Sequence, residues 1–150
     1  MLPPQSPAVL RTPRPLLIHV GYHKTATTWL QNIVFTAKNH FHQVMSHEEI
    51  FATVIAPHGL AFDPGPATAL IARHRQEAPE DAAVDVISLE ALSGLPYDGG
   101  RESDAYARRL AAIAPDARIL ITVRAQPAVM ASVYMQHIQR AGTVPLADFF

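Results

Sequence analysis

Three short apolar runs constrain this chain more than any other feature. Leu16 to Val20 is bounded by Pro15 and Gly21, Val84 to Ser88 reads VDVIS, and Ala117 to Val123 reads ARILITV, the clearest strand of the three. Helical signals fill the intervals. From Thr27 the apolar residues fall at Trp29, Leu30, Ile33, Val34 and Ala37, an amphipathic stripe that fades at Lys38 and Asn39. Ser46 and Glu49 form a capping box ahead of Ile50, Phe51, Val54 and Ile55, which predicts a second helix to Ala56, stopped by Pro57. Pro66 opens a third helix through Glu77, and Ser103 caps a fourth that runs to Ala114. Pro127 and Gly142 bracket a fifth, and PLADFF begins another. Strands alternating with helices predict an α/β fold, a central parallel sheet in a three-layer α/β/α arrangement.

At 150 residues and 49% hydrophobic content the chain is sized for one compact domain. Residues 1–15 hold five of the thirteen prolines and lack the continuous apolar stretch of a signal peptide, so they read as a flexible lead-in to a domain spanning 16–150. No apolar run approaches the roughly 20 residues of a membrane span. Twelve basic residues against thirteen acidic ones give a net charge of -1, which argues against non-specific nucleic-acid binding and requires any anion site to be built locally. The absence of cysteine excludes disulfides, thiolate metal sites and cysteine nucleophiles. The expectation is a cytoplasmic protein with no membrane or nucleic-acid partner, and the Ala- and Arg-rich composition fits a bacterial cytosol. Oligomeric state is not set by the sequence.

In parallel sheets, ligands sit beyond the carboxyl ends of the strands, which directs attention to Gly21 to Thr28 and to Arg124 to Gln126. A helix starting near Thr27 offers unpaired N–H groups and a partial positive charge. Gly21 permits a sharp turn and close approach to a ligand, Lys24 adds a point charge, and the hydroxyls of Thr25, Thr27 and Thr28 can donate to phosphate oxygens. The loop reads as a phosphate cradle, yet neither GxxxxGK[ST] nor GxGxxG is present.

His23 to Leu30, HKTATTWL, resembles the 5'-phosphosulfate loop of the sulfotransferases that use 3'-phosphoadenosine 5'-phosphosulfate, whose motif is proline-lysine-serine-glycine-threonine-threonine-tryptophan. Lys24, Thr27, Thr28 and Trp29 match, Thr25 and Ala26 replace serine and glycine, and His23 replaces proline. The second motif of that family, an arginine after a strand, a proline, and a serine eight residues beyond the arginine, is matched by Arg124, Pro127 and Ser132. The resemblance spans Leu16 to Gly142 and implies a P-loop NTPase-like sulfotransferase fold, with the donor bound by Gly21, His23, Lys24, Thr25, Ala26, Thr27, Thr28, Arg124 and Ser132. It further implies transfer of a sulfuryl group to a hydroxyl or amine of a carbohydrate or other small acceptor, with Lys24 catalytic and no metal. Glu90, just past the VDVIS strand, is the candidate base. The family's C-terminal arginine-lysine-glycine element has no counterpart, so an N-terminal fragment or a shortened relative is expected.

Plainer readings stand beside these. Lys24 also suits a solvated lysine at a helix start, Arg124 a surface ion pair, Ser132 a helix-face hydroxyl, and Glu90 a cap of the turn SLEALSG. Trp29 is expected to pack in the core and His19 to be a satisfied buried histidine. His40, His42 and His47 read as residues lining a loop near the acceptor cleft or facing solvent, not as a metal site. The stretches from Phe41 to Pro66 and from Leu92 to Ser103 are expected to be loops shaping that cleft. Two other functions remain: a P-loop-type kinase using ATP and Mg²⁺, and a non-catalytic fragment of a sulfotransferase.

Overall fold

The computed structural model describes residues 14–95 and 100–149. Four strands, β1 (Leu16–Gly21), β2 (Phe41–Gln43), β3 (Val84–Ser88) and β4 (Arg118–Thr122), form one sheet in the order β2-β3-β1-β4. Every pairing is parallel, and Leu17 stands opposite Val86 on one side and Arg118 on the other. The α/β class and the parallel sheet are as expected.

β2 departs from the loop expected there. Phe41 is its only apolar residue, but the strand leads straight into buried Val44 and Met45, and the Val44 N–H donates to the Val86 carbonyl at 3.0 Å. His42 lies in register with Asp85. The fully buried Asp85 carboxylate accepts from Arg14 Nε at 3.0 Å, Arg75 Nε at 2.8 Å and His42 Nδ1 at 3.3 Å, the dense pairing that a buried charge requires. His42 therefore anchors the sheet, and His40 stands 3.4 Å from Asp81 on the surface. Arg14, assigned from sequence to the lead-in, belongs to the folded part, while 1–13 of that segment and 96–99 of the expected Leu92 to Ser103 loop lie outside the described residues.

The first two predicted helices are shorter and tighter-bonded at their starts than at their ends. α1 (Thr27–Trp29) runs directly into a π turn, Leu30–Val34, and α2 (His47–Ile50) into another, Phe51–Ile55. Both halves of the Ser46–Glu49 capping box are present. α3 (Gly65–Gln76), α4 (Ser103–Ile113), α5 (Gln126–Gln139) and α6 (Leu146–Phe149) follow their sequence signals closely, although Ser103 is the first helical residue and not a cap. The turn after α2 ends on a distant side chain: Arg109 of α4, packed against the rings of Phe62 and Tyr106, donates to the carbonyls of Val54, Ile55 and Pro57. Those carbonyls are among the groups a helix end leaves unpaired.

Leu16 and Ile18 of β1 and Ile87 of β3 pack with Ile50, Val54, Ile71, Leu110 and Ile113, so α2 to α4 cover one face of the sheet. On the other face Phe35, which follows the first π turn, meets His19 and Phe41 edge-on at 5.3 Å each. Trp29 is 56% exposed, contrary to expectation. Thr27 and Gln31, four apart, take the buried side of that helix, and a residue midway between them faces outward.

Candidate functional site

β1, β3 and β4 end at the same edge of the sheet, which brings together the loop after Gly21, the turn Glu90–Ser93 and the segment following Thr122. The Tyr22 N–H donates to the Thr122 carbonyl at 3.1 Å, extending the β1–β4 pairing by one residue. Beyond it Lys24 and Ala26 adopt φ of 66° and 64°, left-handed values that non-glycine residues adopt at a cost. Residues 23–24 form a turn, and among the described residues no backbone carbonyl takes the N–H groups of His23, Lys24 or Ala26.

Packing alone requires glycine at position 21. A Cβ there would collide with Thr27 Oγ1 and sit 2.8 Å from Thr122 Oγ1. Thr27 is only 3% exposed, and its Oγ1 is buried without a partner, an orphaned hydroxyl beneath the loop. Thr28 is exposed on the same first turn.

A run of hydrogen bonds beneath the loop has a direction fixed by its ends. Gln31 Nε2 donates to the Ser88 carbonyl at 3.0 Å and to Ser88 Oγ at 3.1 Å. At the far end the Thr25 hydroxyl donates to the Tyr22 carbonyl at 2.5 Å. Between them stand Ser88 Oγ to His19 Nδ1 at 2.8 Å, His19 Nε2 to Thr122 Oγ1 at 3.1 Å, and Thr122 Oγ1 to Thr25 Oγ1 at 2.9 Å. Each hydroxyl has one proton to give. Thr25 gives its own to Tyr22, so Thr122 donates to Thr25 and His19 donates from Nε2. Burial pushes the pKa of the ring down and favours its neutral form, in which Ser88 donates to the bare Nδ1. His19 is thus the satisfied buried histidine expected, but Thr25 spends its hydroxyl inside the loop and does not donate outward.

The cations converge here. Arg124, exposed just beyond β4, donates from Nη1 to the Lys24 carbonyl at 3.2 Å, joining the two sequence motifs across 100 positions. No carboxylate among the described residues forms an ion pair with Lys24. Ser132 is half-buried in the second turn of α5, and no hydrogen bond joins it to the loop. Glu90 stands 3.5 Å from His23, and this neighbour holds the carboxyl below the usual glutamate range against the opposing effect of burial. Beside Tyr22 opens an apolar cleft of about 310 Å³ lined by Ile18, Val20, Leu92, Leu110, Ile119 and Ile121.

No protein-family model, curated protein or solved structure matches this chain. The site is therefore read from its own residues. Ser88, Gln31 and Thr122 are the supporting residues that sequence reasoning missed; the available signal was a hydroxyl at the carboxyl end of each strand flanking β1. Among the described residues no group of three His, Asp or Glu side chains is placed to hold a metal ion, and no helix is long and apolar enough to cross a membrane.

Proposed function

We propose that this chain binds 3'-phosphoadenosine 5'-phosphosulfate and transfers its sulfuryl group to a hydroxyl or amine of a small acceptor, a carbohydrate among them, as a sulfotransferase of P-loop-like fold. The observation that carries this reading is the contact of Arg124 with the Lys24 carbonyl, which sets cations from two distant motifs at one sheet edge. The N–H groups of the loop and exposed Thr28 fit a phosphate at that edge, whereas the Thr27 hydroxyl is buried beneath the loop. Arg124 keeps further guanidinium donors for a second phosphate.

When bound, the donor supplies the sulfuryl group and an anionic leaving phosphate. Lys24 holds a positive charge at the loop where that phosphate's charge would grow, and the loop amides hold its oxygens without reorganising. Glu90, kept ionised by His23, is the proton acceptor of this reading. The cleft beside Tyr22 gives the acceptor a place to dock.

Incubation with the donor and a panel of sugars and small alcohols, reading release of 3'-phosphoadenosine 5'-phosphate, tests the activity. Release that depends on one acceptor class and is lost in Lys24→Ala supports it. A second reading, a non-catalytic fragment that assembles with another chain, has one observation in its favour: Ile119 and Ile121 of edge strand β4 are each 57% exposed. That reading predicts weak or no nucleotide binding and no release with any acceptor.

A further inference from the structure

His23 occupies the position where the resembled motif carries proline, so its imidazole has no counterpart in that motif. Its ring nevertheless makes the most specific contacts of the loop's outer side. Nε2 stands 3.1 Å from the Gly94 carbonyl oxygen and Nδ1 3.5 Å from Glu90 Oε1. Both neighbours only accept, so a ring that satisfies them donates through both nitrogens and carries a positive charge. The ring is mostly buried, whereas Glu90 is partly exposed. Glu90 also feels Lys24 on the loop and His47 at the start of α2.

A carboxylate at the lip of an anion site repels the ligand that the site is built to hold. We propose that His23 is a positioning residue that resolves this conflict: it ties Glu90 and Gly94 to the loop and offsets the carboxylate charge, so that an anion and Glu90 occupy the same edge together. The inference rests on the loop being an anion site, as in the proposed function. It also explains how Glu90, after β3, comes to stand beside Lys24, after β1.

Calorimetric titration with adenosine 3',5'-bisphosphate on the unaltered chain, His23→Gln, Glu90→Gln and the double variant reads the coupling directly. His23→Gln is expected to weaken binding about tenfold, because the carboxylate is left without its counter-charge. Glu90→Gln binds at least as tightly as the unaltered chain, and adding His23→Gln to it costs less than about threefold. Equal losses from His23→Gln with and without Glu90 would overturn the proposal, since His23 would then act as a loop support alone. A second measurement needs no ligand: the ¹³C titration of the Glu90 carboxyl moves to higher pH in His23→Gln. An unmoved carboxyl overturns the proposal whatever binds. Failure of the unaltered chain to take the bisphosphate removes the proposed function instead, and the carboxyl titration then decides the tie between His23 and Glu90.

Discussion

Ala26 stands where the resembled motif has glycine, and it holds a left-handed backbone angle that disfavours a Cβ. Ala26→Gly should therefore stabilise the fold by about 1 kcal/mol, seen as a thermal midpoint roughly 2–4 °C higher. A lower midpoint would mean that chain flexibility outweighs the relieved strain. Lys24→Ala leaves the same backbone angle but removes the charge, and it should cut turnover by about 10²- to 10³-fold in the release assay with little change in midpoint. At His19 the hydrogen-bond directions put a proton on Nε2, and burial favours the neutral ring. Nitrogen NMR should show that tautomer persisting at pH values where solvent-exposed histidines are charged; a cationic ring at pH 6 would contradict it. The burial of His19 is legible from its place in an apolar strand. Its tautomer is not, because Ser88 and Thr122 lie 69 and 103 positions away.

The helices show where local signals suffice and where they fail. The capping box at Ser46 forms as read because all its groups lie within four residues, and Ser46→Ala should cost about 1 kcal/mol. The π turn that follows could not be read, since its carbonyls are satisfied by Arg109 from 52 to 55 positions away. Arg109→Met keeps much of the side chain's bulk but leaves those carbonyls unpaired. It should lower stability by about 3 kcal/mol in urea unfolding, and a loss below about 0.5 kcal/mol would show that water replaces the guanidinium. β2 was equally hidden: three residues with one apolar side chain carry no periodic signal, and only pairing with β3 makes them a strand.

For the whole molecule, the pH dependence follows from which groups change proton affinity on folding. The unfolded chain binds a proton at His19 below about pH 6.5, whereas burial keeps the native ring neutral to lower pH, so stability declines as pH falls below that value. Glu49, through the Ser46 N–H and then His74, and Glu90, through His23, are held below the usual value of 4.5. Their contribution is present above pH 4.5 and is lost as pH falls through their native values. Urea midpoints recorded from pH 8 to pH 3 should decline first below about 6.5 and more steeply below about 4.5. A midpoint flat to pH 5 would contradict the neutral His19. At this scale, the alternation of apolar runs and helices sufficed to read the parallel sheet, and the strand ends located the candidate site. The strand order was beyond reach because it depends on crossovers that leave no local trace.

The most direct test is calorimetric titration with adenosine 3',5'-bisphosphate beside AMP and ATP with Mg²⁺, repeated on Arg124→Ala. Two cationic loops at one sheet edge predict selective binding of the bisphosphate that is lost in the variant. Equal binding of AMP and the bisphosphate, unchanged in Arg124→Ala, would contradict the central claim.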